Sequence, residues 1–139
     1  MKTAFLAAAL ALTAAPAFAQ DASDITFTFQ VGQPTGAVMV ALFDSAAAFD
    51  SNGGRPVAAV TVAASGPVVA TFGDLPAGDY AVKAFHDGDG DGEMDTNPFG
   101  MPTEPYAFSN NAVGNMGPAR WDRAHFAVSG ETTQTISIR

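Results

Sequence analysis

Between positions 87 and 95 the chain reads Asp87-Gly88-Asp89-Gly90-Asp91-Gly92-Glu93-Met94-Asp95, an acidic residue at every second position with glycine between most of them. Glycine lets the backbone curl until such side chains converge. Converging carboxylates repel by about 1 kcal/mol per pair at about 4 Å in water, and by more near a protein surface, so a cation is the natural partner. All the donors are oxygens, which favours a hard ion, and the D-x-D-x-D-G spacing is that of calcium loops. By that pattern Asp87, Asp89 and Asp91 ligate through carboxylates, Gly92 makes the sharp turn, Glu93 offers its backbone carbonyl, and Asp95 ligates directly or through water. At the twelfth position an EF-hand has a bidentate glutamate, and this chain has Pro98. Asn97 and Glu104 are then the candidates to close the site. Without a glutamate at that position the expected affinity is weak, on the order of 10⁻⁴ to 10⁻³ M, as in extracellular modules.

Other residue types that do chemistry are sparse. His86 precedes the acidic run, and a hydrolase acting on an envelope sugar or phosphate would use His86 with the acidic cluster as its centre, for example through a His86–Asp87 pair. The plainer reading, a hydrogen-bonded histidine at a strand end, is preferred. His125 is expected to be exposed or part of the packing, and Ser109 has none of the G-x-S-x-G context of a nucleophile elbow. No phosphate-cradling loop and no H-E-x-x-H stretch occurs. Trp121 and its aromatic neighbours are read as anchors of a long loop rather than as a platform for a sugar.

The elements that must position the acidic run follow an apolar period of two. Ile25, Phe27, Phe29 and Val31 alternate with polar residues, and Val38, Val40 and Leu42 resume the pattern after a Gly32 to Gly36 turn. Residues 44–52 suit a single helical turn, which Gly53-Gly54 would break. Further strands are expected at 57–63, 68–72, 80–86, 124–128 and 132–138, with Ser65-Gly66-Pro67 as a hairpin turn and Ser129-Gly130-Glu131 joining the last two. Lys83 is expected on the solvent side of its strand. About seven short strands without a long amphipathic helix predict an all-β fold, an antiparallel β-sandwich of immunoglobulin-like or similar type.

Residues 87–123 break the pattern, being rich in Gly, Pro and Asn with no sustained period. A connection that long is seldom idle in a compact domain. Phe99, Met101, Tyr106, Phe108, Met116 and Trp121 are expected to pack it down as one ordered flap over an end or face of the sandwich.

The amino terminus is expected to be a secretory signal peptide, residues 1–19. Lys2 is followed by an apolar run and then Pro16-Ala17-Phe18-Ala19, an A-x-A cleavage site. The run is shorter than the ~20 residues a bilayer span needs, and no cysteine follows it to take a lipid. Neither a membrane span nor a lipid anchor is therefore expected. Removing 19 of 139 residues leaves one domain, 20–139, in which 14 acids face five bases once Lys2 is lost, so the net charge moves from −8 to −9. Such a balance argues against nucleic acid as a partner. With no cysteine there is neither a disulfide framework nor a thiolate metal site.

Several stretches also resemble a known family. Leu75-Pro76-Ala77-Gly78-Asp79-Tyr80, Phe85-His86-Asp87 with the acidic run, Asn97-Pro98-Phe99-Gly100-Met101-Pro102, and Glu104-Pro105-Tyr106-Ala107-Phe108-Ser109-Asn110-Asn111 are similar to the bacterial family called domain of unknown function 2141. The resemblance implies an exported domain and carries no activity with it. The L-P-A-G-x-Y turn resembles that of transthyretin-like (prealbumin-like) and carboxypeptidase-regulatory-like sandwiches. Together these readings predict a periplasmic or extracellular, calcium-stabilised and non-enzymatic module that binds an envelope protein or glycan or serves a structural role.

Overall fold

The computed structural model describes residues 21–139, so the expected signal peptide lies outside the described residues. Eight strands occur in the order β1 (Ser23–Gln30), β2 (Ala37–Phe43), β3 (Ala58–Ala63), β4 (Val68–Leu75), β5 (Gly78–Asp87), β6 (Tyr106–Phe108), β7 (Phe126–Val128) and β8 (Thr132–Ser137). Among the described residues three helical turns join them: α1 (Ala46–Phe49) after β2, a 3-10 turn (Ser109–Asn111) after β6, and α2 (Trp121–Ala124) before β7. One sheet has the order β4-β1-β8 and the other β3-β2-β5-β6, with β7 also paired to β5. No described helix is long and apolar enough to cross a membrane.

The alternation read from the sequence sets the core. Ile25, Phe27 and Phe29 of β1 meet Val38, Val40 and Leu42 of β2, Val68, Ala70 and Phe72 of β4, and Ile136 of β8 between the two sheets. Successive residues of a strand point to opposite faces. Thr26, Thr28, Thr133 and Thr135 therefore fall on the outer face of the smaller sheet, where Thr26 and Thr71 pair their hydroxyls at 3.3 Å.

Strand pairing departs from expectation in three places. Ser65-Gly66-Pro67 does not close a hairpin: β3 pairs only with β2 and β4 only with β1, so this turn carries the chain from one sheet to the other. The 129–131 turn does the same between β7 and β8. The third departure is the parallel pairing of β1 with β8, in an otherwise antiparallel sandwich. Sheets pack about 10 Å apart, a gap that a three-residue turn spans as readily as it closes a hairpin.

Tyr80 locks the entry to β5. Its hydroxyl donates to the Pro76 carbonyl at 2.7 Å, a tyrosine corner formed within the Leu75–Tyr80 turn. Burial pushes that hydroxyl above its ordinary pKa and the Asp44 charge pushes it further, so Tyr80 stays neutral and keeps its donor proton.

The long segment is two excursions, not one flap. The first leaves β5 at Asp87 and returns as β6; the second leaves after Phe108, runs through α2 and returns as β7. Both return strands lie along one edge of β5, with Lys83 opposite Phe108 and Tyr80 opposite Phe126. α2 takes Ala124, the first residue of the strand expected at 124–128, and His125 caps it. At the gap between them Ser109, fully buried, accepts the Val82 amide hydrogen at 2.8 Å and donates to the Ala124 carbonyl at 2.6 Å. A side chain thus replaces the missing rung of the ladder. Outside this edge Phe49 of α1 packs with Phe43, Phe108 and Trp121 as a second apolar cluster. Trp121 is an anchor, held by Phe49 on one side and stacked on His125 at 5.4 Å on the other.

Candidate metal centre

The acidic run begins where β5 ends. Asp87 is the last residue of the strand and is buried, whereas Asp89 and Asp91 are exposed. Its two carboxylate oxygens accept from the Gly90 and Gly92 amides at 2.7 and 2.9 Å. Asp89 accepts from Asp91 N–H at 3.1 Å, and Asp91 from Glu93 N–H at 2.8 Å. Each aspartate thereby bends the chain onto its own side chain, as aspartates do in turns. Gly90 and Gly92 supply the curl with φ of 79° and 80°, in the left-handed region that favours glycine.

These turns bring two carboxylate groups together. Asp87, Asp89 and Asp91 offer oxygens within 4.8 Å of one another, and so do Asp89, Asp95 and Glu104. Asp89 belongs to both, so the two triads adjoin, and either could hold a metal ion. Glu93 has its side chain in neither group, which leaves it only the backbone carbonyl expected of it.

Glu104 arrives through the sheet. The Pro105 carbonyl accepts His86 N–H at 2.8 Å, starting the ladder of β5 with β6 and setting Glu104 beside the loop. Its carboxylate then accepts Gly88 N–H at 2.9 Å and Asp95 N–H at 3.2 Å. Asn97, the other candidate, is occupied elsewhere: its oxygen takes the amides of Phe99 and Met101 at 2.9 and 3.0 Å. It shapes a small hairpin in which Asn97 N–H bonds the Met101 carbonyl and Thr103 N–H the Asp95 carbonyl.

The electrostatics of the cluster are uneven. Burial raises the Asp87 carboxyl, but the Gly92 and Gly90 amides, the Asp89 side chain and the Asp91 amide outweigh it and hold Asp87 below the usual carboxylate range. Asp95 is pushed up, first by the Asp89 charge, then by partial burial and by Asp91, Glu104 and Asp87. The strain of gathering the charges therefore falls on Asp95.

His86 is not part of this centre. It lies opposite Val38 on the inner side of β5, buried, with Nε2 at 2.5 Å from the Thr35 carbonyl. Alternation along the strand sends His86 and Asp87 to opposite faces, so these two side chains do not pair. The turn that holds His86 also backs the loop, because an added Cβ at Gly36 would stand 2.1 Å from the Asp87 carbonyl oxygen.

Sequence reasoning missed Ser109-Asn110-Asn111. Asn110 donates to the carbonyls of Arg123 and His125 at 3.1 and 2.9 Å, while Asn111 accepts from Ser137 N–H at 2.9 Å and donates to the Thr135 carbonyl at 3.0 Å. Positive φ at both asparagines, 61° and 48°, aims these side chains. The available signal was an Asn-Asn pair, a residue type that tolerates the left-handed region, immediately after an apolar strand.

Fold and site together define a two-sheet β-sandwich with an acidic loop, able to hold a cation, at the end of a central strand. The chain belongs to the family described as an uncharacterized protein conserved in bacteria (DUF2141), whose pattern matches residues 29–137, from the end of β1 through both excursions to the end of β8. Neither the curated proteins nor the solved structures contain a match to it. The likeness to transthyretin-like sandwiches thus rests on the Leu75–Tyr80 turn alone.

Proposed function

We propose that this protein is an exported, non-enzymatic binding or structural module whose acidic loop holds a calcium ion, with Asp87, Asp89, Asp91, Asp95 and Glu104 as carboxylate ligands and Glu93 contributing its carbonyl. The observation that carries the reading is the sharing of Asp89 between two carboxylate triads, each with its ligand atoms within 4.8 Å. A calcium coordination sphere, with oxygens at 2.3–2.6 Å from the ion, is about 5 Å across and takes six to eight oxygens from flexible loops. Magnesium keeps several waters and a stricter, smaller octahedron, which suits five gathered carboxylates less well. The ion fastens the first excursion to the end of β5. Export supports the assignment, because a weak site needs the calcium concentrations found outside the cytoplasm.

Calcium titration of residues 20–139, followed by calorimetry and thermal melting, tests it. The expected result is saturable heat and a raised melting temperature that EDTA reverses. Replacing Asp89 and Asp91 together by Ala should abolish both and leave the first excursion open to proteolysis. Neither heat nor a melting shift in the unaltered protein would sink the reading.

A further inference from the structure

The outer face of the larger sheet holds a groove of about 680 Å³. Its floor is Met39, Ala59 and Phe85, outward-facing residues of β2, β3 and β5, and its walls are Met94 and Pro102 of the first excursion with Tyr106 of β6. The lining is largely apolar, and the size falls within the ~300–1,000 Å³ of small-molecule sites. One cation lines it: Lys83, which the sequence placed in solvent and which is in fact half-buried. Its ammonium has three donors. One goes to the Phe49 carbonyl, and the group stands over the rings of Phe43 and Phe49 at 5.1 and 4.7 Å. No carboxylate among the described residues pairs with it. Asp50, whose charge reaches Lys83, spends its oxygens on Arg120 and Trp121 N–H, and Arg120–Asp50 is the one ion pair among the described residues.

An apolar trough with the half-buried Lys83 side chain along one end, its ammonium ion-paired to no carboxylate among the described residues, is complementary to an apolar chain ending in an anion. We infer that the groove is a binding site for a single-chain amphiphile with a carboxylate head, a fatty-acid-like molecule whose head meets Lys83 and whose chain lies over Ala59 and Phe85 towards Pro102. In a chain this acidic, a lone cation inside an apolar surface is where such a head has least repulsion and most gain. The exposed Phe99 and Met101, on the hairpin that supplies Pro102, extend the apolar surface beyond the rim. None of the five carboxylates lines the groove, although its walls Met94 and Pro102 belong to the excursion that the ion would fasten, so binding is read both with and without calcium.

Isothermal titration of residues 20–139 with sodium decanoate, and in parallel with decanol, tests the inference. Both are run in calcium-free buffer and again at a calcium level that keeps decanoate soluble. Expected is one-to-one binding of decanoate in at least one buffer, with decanol weaker by about tenfold or more. Lys83→Met should bring decanoate down to the level of decanol. Lys83 also packs on Phe43 and Phe49, so Ala59→Trp, which fills the floor and leaves Lys83 in place, should remove binding with the melting temperature retained. The inference is overturned if decanoate fails to bind in both buffers, if decanol binds as tightly, or if Ala59→Trp binds normally. A dimer in sedimentation that Ala59→Trp dissociates, with no decanoate bound, would assign the groove to a second copy and overturn it equally.

Discussion

The Glu104 carboxylate accepts the amide hydrogen of Asp95 at 3.2 Å across nine residues, and this bond joins the two ends of the small hairpin that follows the acidic loop. Its other oxygen is bound to Gly88 N–H, so one side chain spans the loop from its second residue to its ninth. An EF-hand closes its loop with a glutamate from the helix that follows. Here Pro98 occupies that place, and a residue delivered by strand pairing stands in for it.

Glu104→Gln keeps the shape and one acceptor oxygen but removes a charge from the cluster. Calcium affinity should fall by about tenfold, because ligand charge sets affinity in such loops. The metal-free melting temperature should change little, since relief of the repulsion on Asp95 is offset by loss of one of the two amide bonds that Glu104 accepts. Calorimetry with parallel melts checks both halves, and unchanged affinity would remove Glu104 from the ligand set.

What the sequence made legible was the facing of side chains. Ile25, Phe27 and Phe29 had to look inward together, because a one-residue slip would expose all three. The same pattern carries no information on which strand lies beside which. Ser65-Gly66-Pro67 is as good a turn between sheets as within one, and the parallel β1–β8 pair is closed by residues more than a hundred positions apart. The aspartates of the site were readable because loop geometry is local. Glu104 was readable only as a nearby oxygen, since its place depends on the bond between His86 and Pro105. Lys83 was misplaced for a similar reason: alternation put it on the outer face, and α1 then folded Phe49 over that face.

Lowering the pH should act on the cluster in two stages. Asp95 has its folded pKa raised, so ionising it costs stability at neutral pH, and that cost disappears as the pH falls through the raised value. Asp87 has its folded pKa lowered, so it contributes stability above its unfolded value, which is lost as the pH falls through the depressed one. Without calcium, the melting temperature should therefore hold or rise slightly on leaving neutrality and fall at more acid pH. Calcium needs Asp95 ionised, so the calcium-induced increment should begin to shrink above the ordinary carboxylate range. Melts across that range with calcium or EDTA would show it; an increment constant down to the ordinary range would contradict the assignment of Asp95 as a ligand.

Gly36→Ala tests the support behind the loop. Gly36 has φ of 72°, and a Cβ there would meet the Asp87 carbonyl oxygen at 2.1 Å. Strain at the positive φ together with displacement of Asp87 should destabilise the protein by about 2 kcal/mol or more. Calcium binding should weaken in the same variant, because Asp87 opens the loop. Gly32→Ala is the control: it lies in the same turn with open space around it and should change neither quantity.

Ser109→Ala separates the ladder from the loop. The variant leaves the buried Val82 amide without its acceptor and the Ala124 carbonyl without its donor. Unpaired buried groups of this kind cost about 1–3 kcal/mol each, so a loss of about 2 kcal/mol or more is expected in chemical denaturation. The effect should appear first in the second excursion, which has no other rung to β5 at that point. Trp121, the single tryptophan, sits on that excursion against Phe49 and reports its release by fluorescence. Calcium affinity should stay within about twofold, because β6 and the Pro105–His86 bond that place Glu104 lie on the far side of Ser109. A variant that lost calcium binding and kept its tryptophan environment would reverse this order, and would mean that the two excursions are coupled through β6 rather than fastened separately to β5.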